Sequence, residues 1–202
     1  MRILAALIVA SPLLAQAISP GLRLGAMVTP LLTAQPPQQA SLSPFTIGPS
    51  IEIHLWRGAA LGADFLFRRA VLAISPAGSP RAQIWQWEAP ITFVYRFRRP
   101  AGPFVRAGIS FNRVFDIAGA AECARGPLGE RFYCLDGAPL AELRHRATSG
   151  FVLGGGYGFR WNRLRLEPEL RLTHWTDRNF GVRDSAVQSN LNQAGFLLGV
   201  LF

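Results

Sequence analysis

The chain contains no lysine: all 21 of its basic residues are arginines, and with 12 acidic residues they give a formal charge of +9. The arginines are scattered and form no dense basic tract, which argues against nucleic acid as a partner. Beyond the N-terminus, no apolar run reaches the roughly 18 residues that a membrane-spanning helix needs. These absences disfavour a nucleic-acid-binding protein and a helical membrane protein.

Cysteine and histidine are also scarce, with two and three copies. No histidine lies between Cys123 and Cys134, so the pair favours a disulfide over a metal site, provided that the protein leaves the cytoplasm. Metal-ligand spacing, a phosphate-binding loop and a dinucleotide motif are all missing, and the glycines of residues 154–156 lie inside a predicted strand. We therefore predict no metal and no cofactor.

The N-terminus has the features of a secretory signal. Arg2 supplies the positive start, residues 3–14 form the apolar stretch, and residues 15–17 (AQA) form a small-x-small cleavage site. We predict that residues 1–17 are a signal peptide and that residues 18–202 form one exported domain. No cysteine near the cleavage site would allow lipid attachment.

Period-two alternation runs through most of the chain after residue 22. In residues 164–172, for example, leucine and proline alternate with arginine and glutamate. Such alternation predicts strands with one apolar and one polar face, and the 20 glycines and 15 prolines disfavour a helical fold. Eight segments follow the pattern: residues 22–29, 45–56, 60–70, 84–98, 104–115, 149–161, 164–172 and 194–202.

The connections between these segments alternate between long and short. The long ones are residues 31–44, 71–83, 116–148 and 177–190, and the short ones are residues 57–59, 99–103 and 162–163. Outer-membrane barrels are built in this way, with long loops outside and short turns in the periplasm. We predict an all-β fold, a closed antiparallel up-and-down transmembrane barrel of about eight strands, with both termini periplasmic.

Aromatic residues gather near both predicted borders of this barrel, as expected for interfacial belts in contact with outer-membrane lipids. Near the short turns they are Trp56, Tyr95, Phe97, Phe159, Trp161 and Phe202; near the long loops they are Trp85, Trp87 and Trp175. A soluble periplasmic barrel is the alternative fold.

The polar faces combine charged residues with glycines such as Gly48 and Gly108, which suits the crowded interior of an eight-stranded barrel. We therefore place the apolar faces toward lipid and the polar faces inside. Buried charges are tolerated when they are paired, so we predict an interior charge network that His54 joins and that blocks the lumen. Its predicted members are Glu52, Asp64, Arg68, Glu88, Arg96, Arg106, Arg160, Arg165, Glu167, Glu169 and Arg171.

Three prolines, Pro49, Pro90 and Pro168, lie inside predicted strands although proline cannot donate to a strand ladder. We expect a bulge or local irregularity at each of them. A shift of one residue at such a proline would reverse the inward or outward assignment of its neighbours, so these assignments are left open.

Several stretches are similar to a known family. Residues 87–97 (WEAPITFVYRF) and 103–108 (PFVRAG) carry most of the likeness, with support from residues 46–52, 67–69 and 166–171. On these residues the chain resembles the bacterial outer-membrane β-barrel domain family of PorT type over nearly all of its mature length. The resemblance implies a small barrel without a shared catalytic set, in which Phe202 is the signal read by the barrel-assembly machinery.

The histidines suggest no strong active site. His174, close in sequence to Thr173 and Asp177, would face lipid, where a lipid-modifying enzyme would need its base; an interfacial polar residue is the simpler interpretation. His145 lies in a solvated loop between two arginines.

We therefore predict a non-enzymatic outer-membrane barrel with a structural role or a binding role of its outer loops. Residues 116–148, which contain both cysteines, are the expected binding surface, and the sequence identifies no ligand for them. A lipid-modifying enzyme and a narrow small-solute channel are the alternatives.

Overall fold

The structure, a computed structural model, describes residues 18–34, 39–41, 45–73, 81–98, 101–126, 129–135, 138–181 and 187–202. The predicted signal peptide, residues 1–17, lies outside these ranges. Nowhere within them is a helix long and apolar enough to cross a membrane. The strands are β1 (Ile18–Met27), β2 (Leu32–Ala34), β3 (Gln39–Ser41), β4 (Thr46–His54), β5 (Ala59–Asp64), β6 (Leu66–Ala73), β7 (Arg81–Arg96), β8 (Gly102–Ala118), β9 (Ala121–Arg125), β10 (Arg131–Leu135), β11 (Ala138–Leu143), β12 (Ala147–Trp161), β13 (Leu164–Trp175), β14 (Val187–Ser189) and β15 (Asn192–Leu201).

Eight antiparallel strand positions in the described chain close into a barrel. They are occupied by β1, β4, β5 with β6, β7, β8, β12, β13 and β15, and each pairs with its neighbour in this order. β1 pairs with β4 on one side and β15 on the other, so that Gly21 lies opposite both Ser50 and Leu201. The predicted all-β, closed antiparallel barrel is therefore confirmed.

The outer faces of the strands are apolar and the inner faces are polar. On β8, Val105 and Ile109 are each 45% exposed, whereas the residues that directly follow them, Arg106 and Ser110, are 1% and 0% exposed. Burial alternates along this strand because successive side chains point to opposite faces of a sheet. The structure thus has the face assignment that the alternation predicts.

The two ends of the barrel differ. The short turns, Ile18 and Phe202 lie at one end, which we call the hairpin end, and the long connections lie at the other, the loop end. At the loop end β7, β8 and β13 extend three residues further than predicted. Residues 116–148 are not simply a loop, because β9, β10 and β11 form a separate three-stranded sheet there.

The prolines inside the strands cause one interruption and no slip of register. Phe65, which separates β5 from β6, lies beside Pro49 on one neighbouring strand and close to Pro90 on the other. Its N–H donates to the Pro49 carbonyl at 2.9 Å, but the proline nitrogen has no hydrogen to donate in return. Pro168 is paired without a shift. A register shift occurs instead beside Trp85.

An apolar cluster packs inside the described part of the barrel at the loop end. Phe180 is 1% exposed at its centre; its N–H donates to Ser189 Oγ at 3.1 Å, and it forms an isolated bridge with Leu143. Leu32 of β2, which pairs with β14 in a two-stranded ribbon, belongs to the same cluster. We call this cluster the loop-end plug: Met27, Leu31, Leu32, Ile84, Val114, Tyr133, Leu143 and Phe180.

Candidate functional site

Charged side chains fill the middle of the lumen, beneath the loop-end plug. Arg23 lies 2.9 Å from Asp64 and 2.7 Å from Glu169. Arg171 bridges the same two carboxylates at 2.8 Å each, and Arg106 lies 3.2 Å from Glu169. All five side chains are at most 2% exposed. Three arginines therefore share two carboxylates out of contact with solvent.

A second group lies nearer the hairpin end. Arg96 contacts Glu167 at 2.7 Å and donates to Glu52 at 2.6 Å. Arg165 contacts the same two carboxylates at 2.9 and 3.0 Å, and the Nδ1 atom of His54 lies 3.5 Å from Glu52. Two arginines and two carboxylates thus form a closed ring, with His54 at its edge.

A third group lies nearer the loop end. Arg68 forms an ion pair with Glu88 and donates to Gln193 at 3.2 Å. Ser110 donates its hydroxyl hydrogen to the other Glu88 oxygen at 2.7 Å. We call the three groups together the lumen network: Arg23, Glu52, Asp64, Arg68, Glu88, Arg96, Arg106, Arg165, Glu167, Glu169 and Arg171.

The structure brings together ten of the eleven residues predicted for the interior. Arg160 is the exception: it is exposed at the hairpin end, where its Nε donates to the Asn162 carbonyl at 3.3 Å. Inward alternation does not bury it because β12 has reached the end of the barrel wall there. The prediction missed Arg23, although its position between Leu22 and Leu24, both outward-facing, was the signal for it.

Glycines of β12 provide room for this network. A Cβ atom at Gly154 would lie 2.7 Å from the Glu169 carboxylate and 2.9 Å from Cγ of Arg106, and one at Gly156 would lie 2.1 Å from the Pro168 carbonyl oxygen. These approaches are too close for any side chain. Gly154 and Gly156 are therefore part of a crowded wall, in agreement with their interpretation as packing glycines, whereas a Cβ at Gly155 would lie 3.7 Å from its nearest neighbour.

The lumen network has the chemistry of a structural element. Its six arginines and five carboxylates neutralise one another almost completely, as buried charges require. The ring of Phe104 lies among its members, 5.8 Å from the Arg96 guanidinium and 5.7 Å from that of Arg106, and it packs with Ala60 and Val94. Across the described residues, no group of three or more His, Cys, Asp or Glu is placed to hold a metal ion.

The predicted disulfide is present at the loop end. Cys123 of β9 and Cys134 of β10 are bonded, with their Cα atoms 5.8 Å apart, and all of β9 is exposed. Glu122 pairs with Arg125 and, at 3.3 Å, with Arg131. The hydrogen bond from Arg125 lowers the pKa of Glu122 from its ordinary value. This disulfide-closed sheet displays a charged surface to solvent.

His174 is exposed on the outer wall, as predicted. Its Nδ1 atom lies 2.6 Å from Oδ1 of Asn192, a partner that the prediction did not include. Thr173 is buried on the opposite face of the strand, and Asp177 accepts a hydrogen bond from Thr176 at 3.4 Å. The structure therefore does not assemble His174, Thr173 and Asp177 into one site.

The exposure of Trp175 and of His145 shows where each of these side chains lies. Trp175 is 3% exposed and faces the lumen, so its assignment to the outer aromatic belt was wrong; strict alternation from His174 requires the inward direction. His145 is exposed, and its carbonyl accepts a hydrogen bond from Asn179 at 2.9 Å.

Comparison with known proteins supports the fold. No family model and no curated protein matches the sequence. The solved structure of the outer membrane protein OprG from Pseudomonas aeruginosa matches with a TM-score of 0.53 and 10% identity over 91% of this chain and 92% of that chain. Neisserial surface protein A (TM-score 0.46, 13% identity) and Ail of Yersinia pestis in complex with sucrose octasulfate (0.46, 10%) each match over 91% of this chain and 94% of theirs. At these identities the similarity concerns the fold alone, and it is the match to OprG that supports the fold.

Proposed function

We propose that this protein is an integral barrel of a bacterial outer membrane, with a closed lumen and a structural or loop-mediated binding role rather than a catalytic one. The inverted burial of its side chains carries this proposal. Phe, Leu, Ile and Trp side chains cover the outside of the barrel, while the charged side chains of the lumen network are buried. A soluble barrel would bury the first set and hydrate the second.

The height of the apolar wall supports a membrane location. From Pro103 to Arg113, β8 advances ten residues, and every outward side chain between them is apolar. At about 3.3 Å per residue and a tilt of about 40°, this stretch is about 25 Å tall, the height of the apolar band in outer-membrane barrels. Exposed arginines mark its borders: Arg57, Arg98 and Arg163 at the hairpin end and Arg113 toward the loop end.

Loop length supports the orientation. Short turns characterise the periplasmic side of such barrels and longer connections the outer side, so we place the hairpin end and both termini in the periplasm. Residues 1–17 would then direct export and be removed. The disulfide between Cys123 and Cys134 fits an oxidising compartment outside the cytoplasm.

Fractionation and gel migration test the membrane location. We expect the protein to sediment with membranes, to require detergent for extraction, and to migrate differently in SDS gels before and after boiling, because a closed barrel resists unfolding by SDS until it is heated. A soluble periplasmic protein from the same cells serves as the control. Release without detergent, with no heat-dependent shift, would support a soluble periplasmic barrel instead.

The filled lumen favours a closed barrel over a channel. The loop-end plug packs at one end of the lumen, and the lumen network, with the ring of Phe104 among its guanidinium groups, packs below it. Steady conductance in planar bilayers would contradict this part of the proposal. The disulfide-closed sheet of β9, β10 and β11, whose strand β9 is exposed, is then the surface most suited to binding a ligand outside the cell, because loops and small sheets on rigid scaffolds commonly carry recognition.

Phe202 is proposed as the signal for the barrel-assembly machinery. Its N–H donates to the Pro20 carbonyl at 2.9 Å, while its side chain is 62% exposed and accessible to another protein. We expect Phe202→Ser to lower the yield of folded protein in the outer membrane, measured by heat-dependent migration of membrane fractions.

Trp161→Ser, which changes another exposed aromatic at the hairpin end, is the matched control and should preserve the yield. Refolding of both variants into lipid vesicles without assembly proteins should match the unmodified protein. Unchanged cellular insertion of Phe202→Ser would contradict the assembly role.

Membership of the PorT-type family is a finer proposal. It is supported by residues 87–97 and 103–108, which in the structure form the facing parts of β7 and β8, the most extensively paired strands of the barrel.

A further inference from the structure

One part of the outer wall departs from the uniform apolar surface. Over β12, β13 and β15 lies a groove of about 420 Å³, whose lining includes the apolar Phe151, Leu153, Leu172 and Ala194 and the polar Thr29, His174 and Asn192. Its volume lies within the range of about 300–1,000 Å³ that is usual for ligand sites. The groove exists because Ala194 is small and lies opposite Leu172 in the pairing of β13 with β15.

Three side chains that border the groove are more than half exposed. Phe151 is 65% exposed and Leu153 and Leu172 are each 57% exposed, compared with 45% for Ile109, which pairs with Phe151 on the neighbouring strand β8. Because Ala194 is small, the sides of these side chains are exposed as well as their ends. If the wall is embedded in a bilayer, an acyl chain in this groove would cover more apolar area than one lying against the rest of the barrel.

A polar pair closes the loop-end side of the groove. Phe151, His174 and Asn192 lie opposite one another on the three strands. The 2.6 Å contact between His174 Nδ1 and Asn192 Oδ1 holds both side chains in place. Among the described contacts, it leaves the His174 Nε2 atom and the Asn192 amide N–H groups available to a ligand.

A polar cleft begins directly beyond this pair. It has a volume of about 290 Å³, and its lining includes Arg144, Arg178, Thr176 and Asp177. The chain passes from groove to cleft within two residues, from His174 of β13 to Thr176, which follows the end of that strand. The guanidinium group of Arg144 pairs with Glu142 at 3.3 Å, and that of Arg178 donates to Gln188 at 3.0 Å. Each guanidinium group has five N–H donors, and the remaining ones suit a phosphate group because they match phosphate oxygens in geometry and charge.

We propose that the groove and the cleft together bind one acylated phosphate, that is, a lipid whose acyl chain lies in the groove and whose phosphate lies in the cleft. The proposal rests on the proposed function only in that the wall must face lipid. The order of the two parts along the barrel axis matches such a molecule: the apolar groove lies deeper in the wall, and the arginines lie toward the loop end, where a headgroup would leave the hydrocarbon.

Native mass spectrometry of the mature, detergent-solubilised protein tests this site. The probes are phosphatidic acid, diacylglycerol without phosphate, and inorganic phosphate without acyl chains. We expect one phosphatidic acid to be retained at least tenfold more tightly than diacylglycerol, and inorganic phosphate not to compete at equal concentration. Equal retention of both lipids, or full displacement by inorganic phosphate, would overturn the proposal.

Two pairs of variants locate the bound lipid. Arg144→Gln with Arg178→Gln should weaken phosphatidic acid binding about tenfold and leave diacylglycerol unaffected, whereas the matched loop-sheet variant Arg125→Gln with Arg131→Gln should change neither.

Leu172→Trp fills the groove and should abolish retention of phosphatidic acid, whereas Ile91→Trp, which makes a bulky outward change on β7, should preserve it. Retention by Leu172→Trp would contradict the groove as the acyl site. Heat-dependent gel migration of each variant establishes folding and membrane location independently of lipid binding.

Discussion

Replacing Glu169 with glutamine should lower the free energy of unfolding by about 3–5 kcal/mol, the usual cost of removing one partner from a buried ion pair. Glu169 contacts Arg23, Arg106 and Arg171 at 2.7, 3.2 and 2.8 Å. Glutamine retains the shape but not the charge, so three buried guanidinium groups would then share Asp64 as their nearest carboxylate. The midpoint of urea-induced unfolding in lipid vesicles measures the effect.

Two controls isolate the buried charge. Glu122→Gln makes the same chemical change in the exposed loop-end sheet and should leave the urea midpoint unchanged, because exposed ion pairs contribute little. The double variant Glu169→Gln with Arg106→Gln removes one charge of each sign and should be less destabilised than the sum of the single variants. A wild-type midpoint for Glu169→Gln would contradict the structural role of the network.

The Ile109→Arg variant should lose about 2–4 kcal/mol of stability, the cost of arginine at the midplane of a barrel's lipid face. Ile109 is 45% exposed and lies between Ile91 and Phe151 on its two neighbouring strands, near the middle of the apolar wall. Urea unfolding in vesicles measures the loss. If the wall faced water, the same substitution would be close to neutral.

Phe115→Arg provides the matched control for this prediction. Phe115 lies on the same face of β8 and is also 45% exposed, but it is two residues beyond Arg113 and so outside the apolar band. The cost there should fall to about 0–1 kcal/mol, as it does near the interface. Equal losses at Ile109 and Phe115 would show that packing, rather than depth in a membrane, determines the result.

The lumen network also connects distant parts of the chain. Arg23 and Glu169 are 146 residues apart in sequence, and their contact joins β1 to β13 across the lumen. A one-residue slip of β13 would turn Glu167, Glu169 and Arg171 outward together. Because such a slip would expose several charges to lipid, the network favours one register as well as filling space.

Alternation predicted most of the lumen network but failed in two places for different reasons. Arg160 has the inward phase, yet it lies where β12 leaves the barrel wall, so phase alone did not bury it. Trp175 also has the inward phase, and treating it as a belt residue overrode the rule that correctly placed His174 outside. The period-two alternation indicates whether a side chain points inward or outward. An inward side chain is buried only where the barrel wall extends far enough to surround it.

The loop-end plug could not be predicted from alternation. Leu31 and Phe180 lie outside the barrel strands, and Tyr133 belongs to the separate sheet. Their meeting with Ile84 and Val114 depends on how connections of different length fold back over the lumen. The hydrogen bond between His174 and Asn192 likewise depends on the register of β13 with β15, which the sequence pattern did not specify.

By itself the sequence determined the closed barrel, the apolar outer wall and the residue types of its interior, because period-two alternation assigns each side chain to a face. The tertiary structure decided which arginine meets which carboxylate, that apolar loop residues pack together at the loop end, and that a groove leads into an arginine-lined cleft. These features depend on register and on chain segments far apart in sequence. The face on which a residue lies depends on its own strand alone. The distance between residues of different strands becomes defined only when the barrel closes.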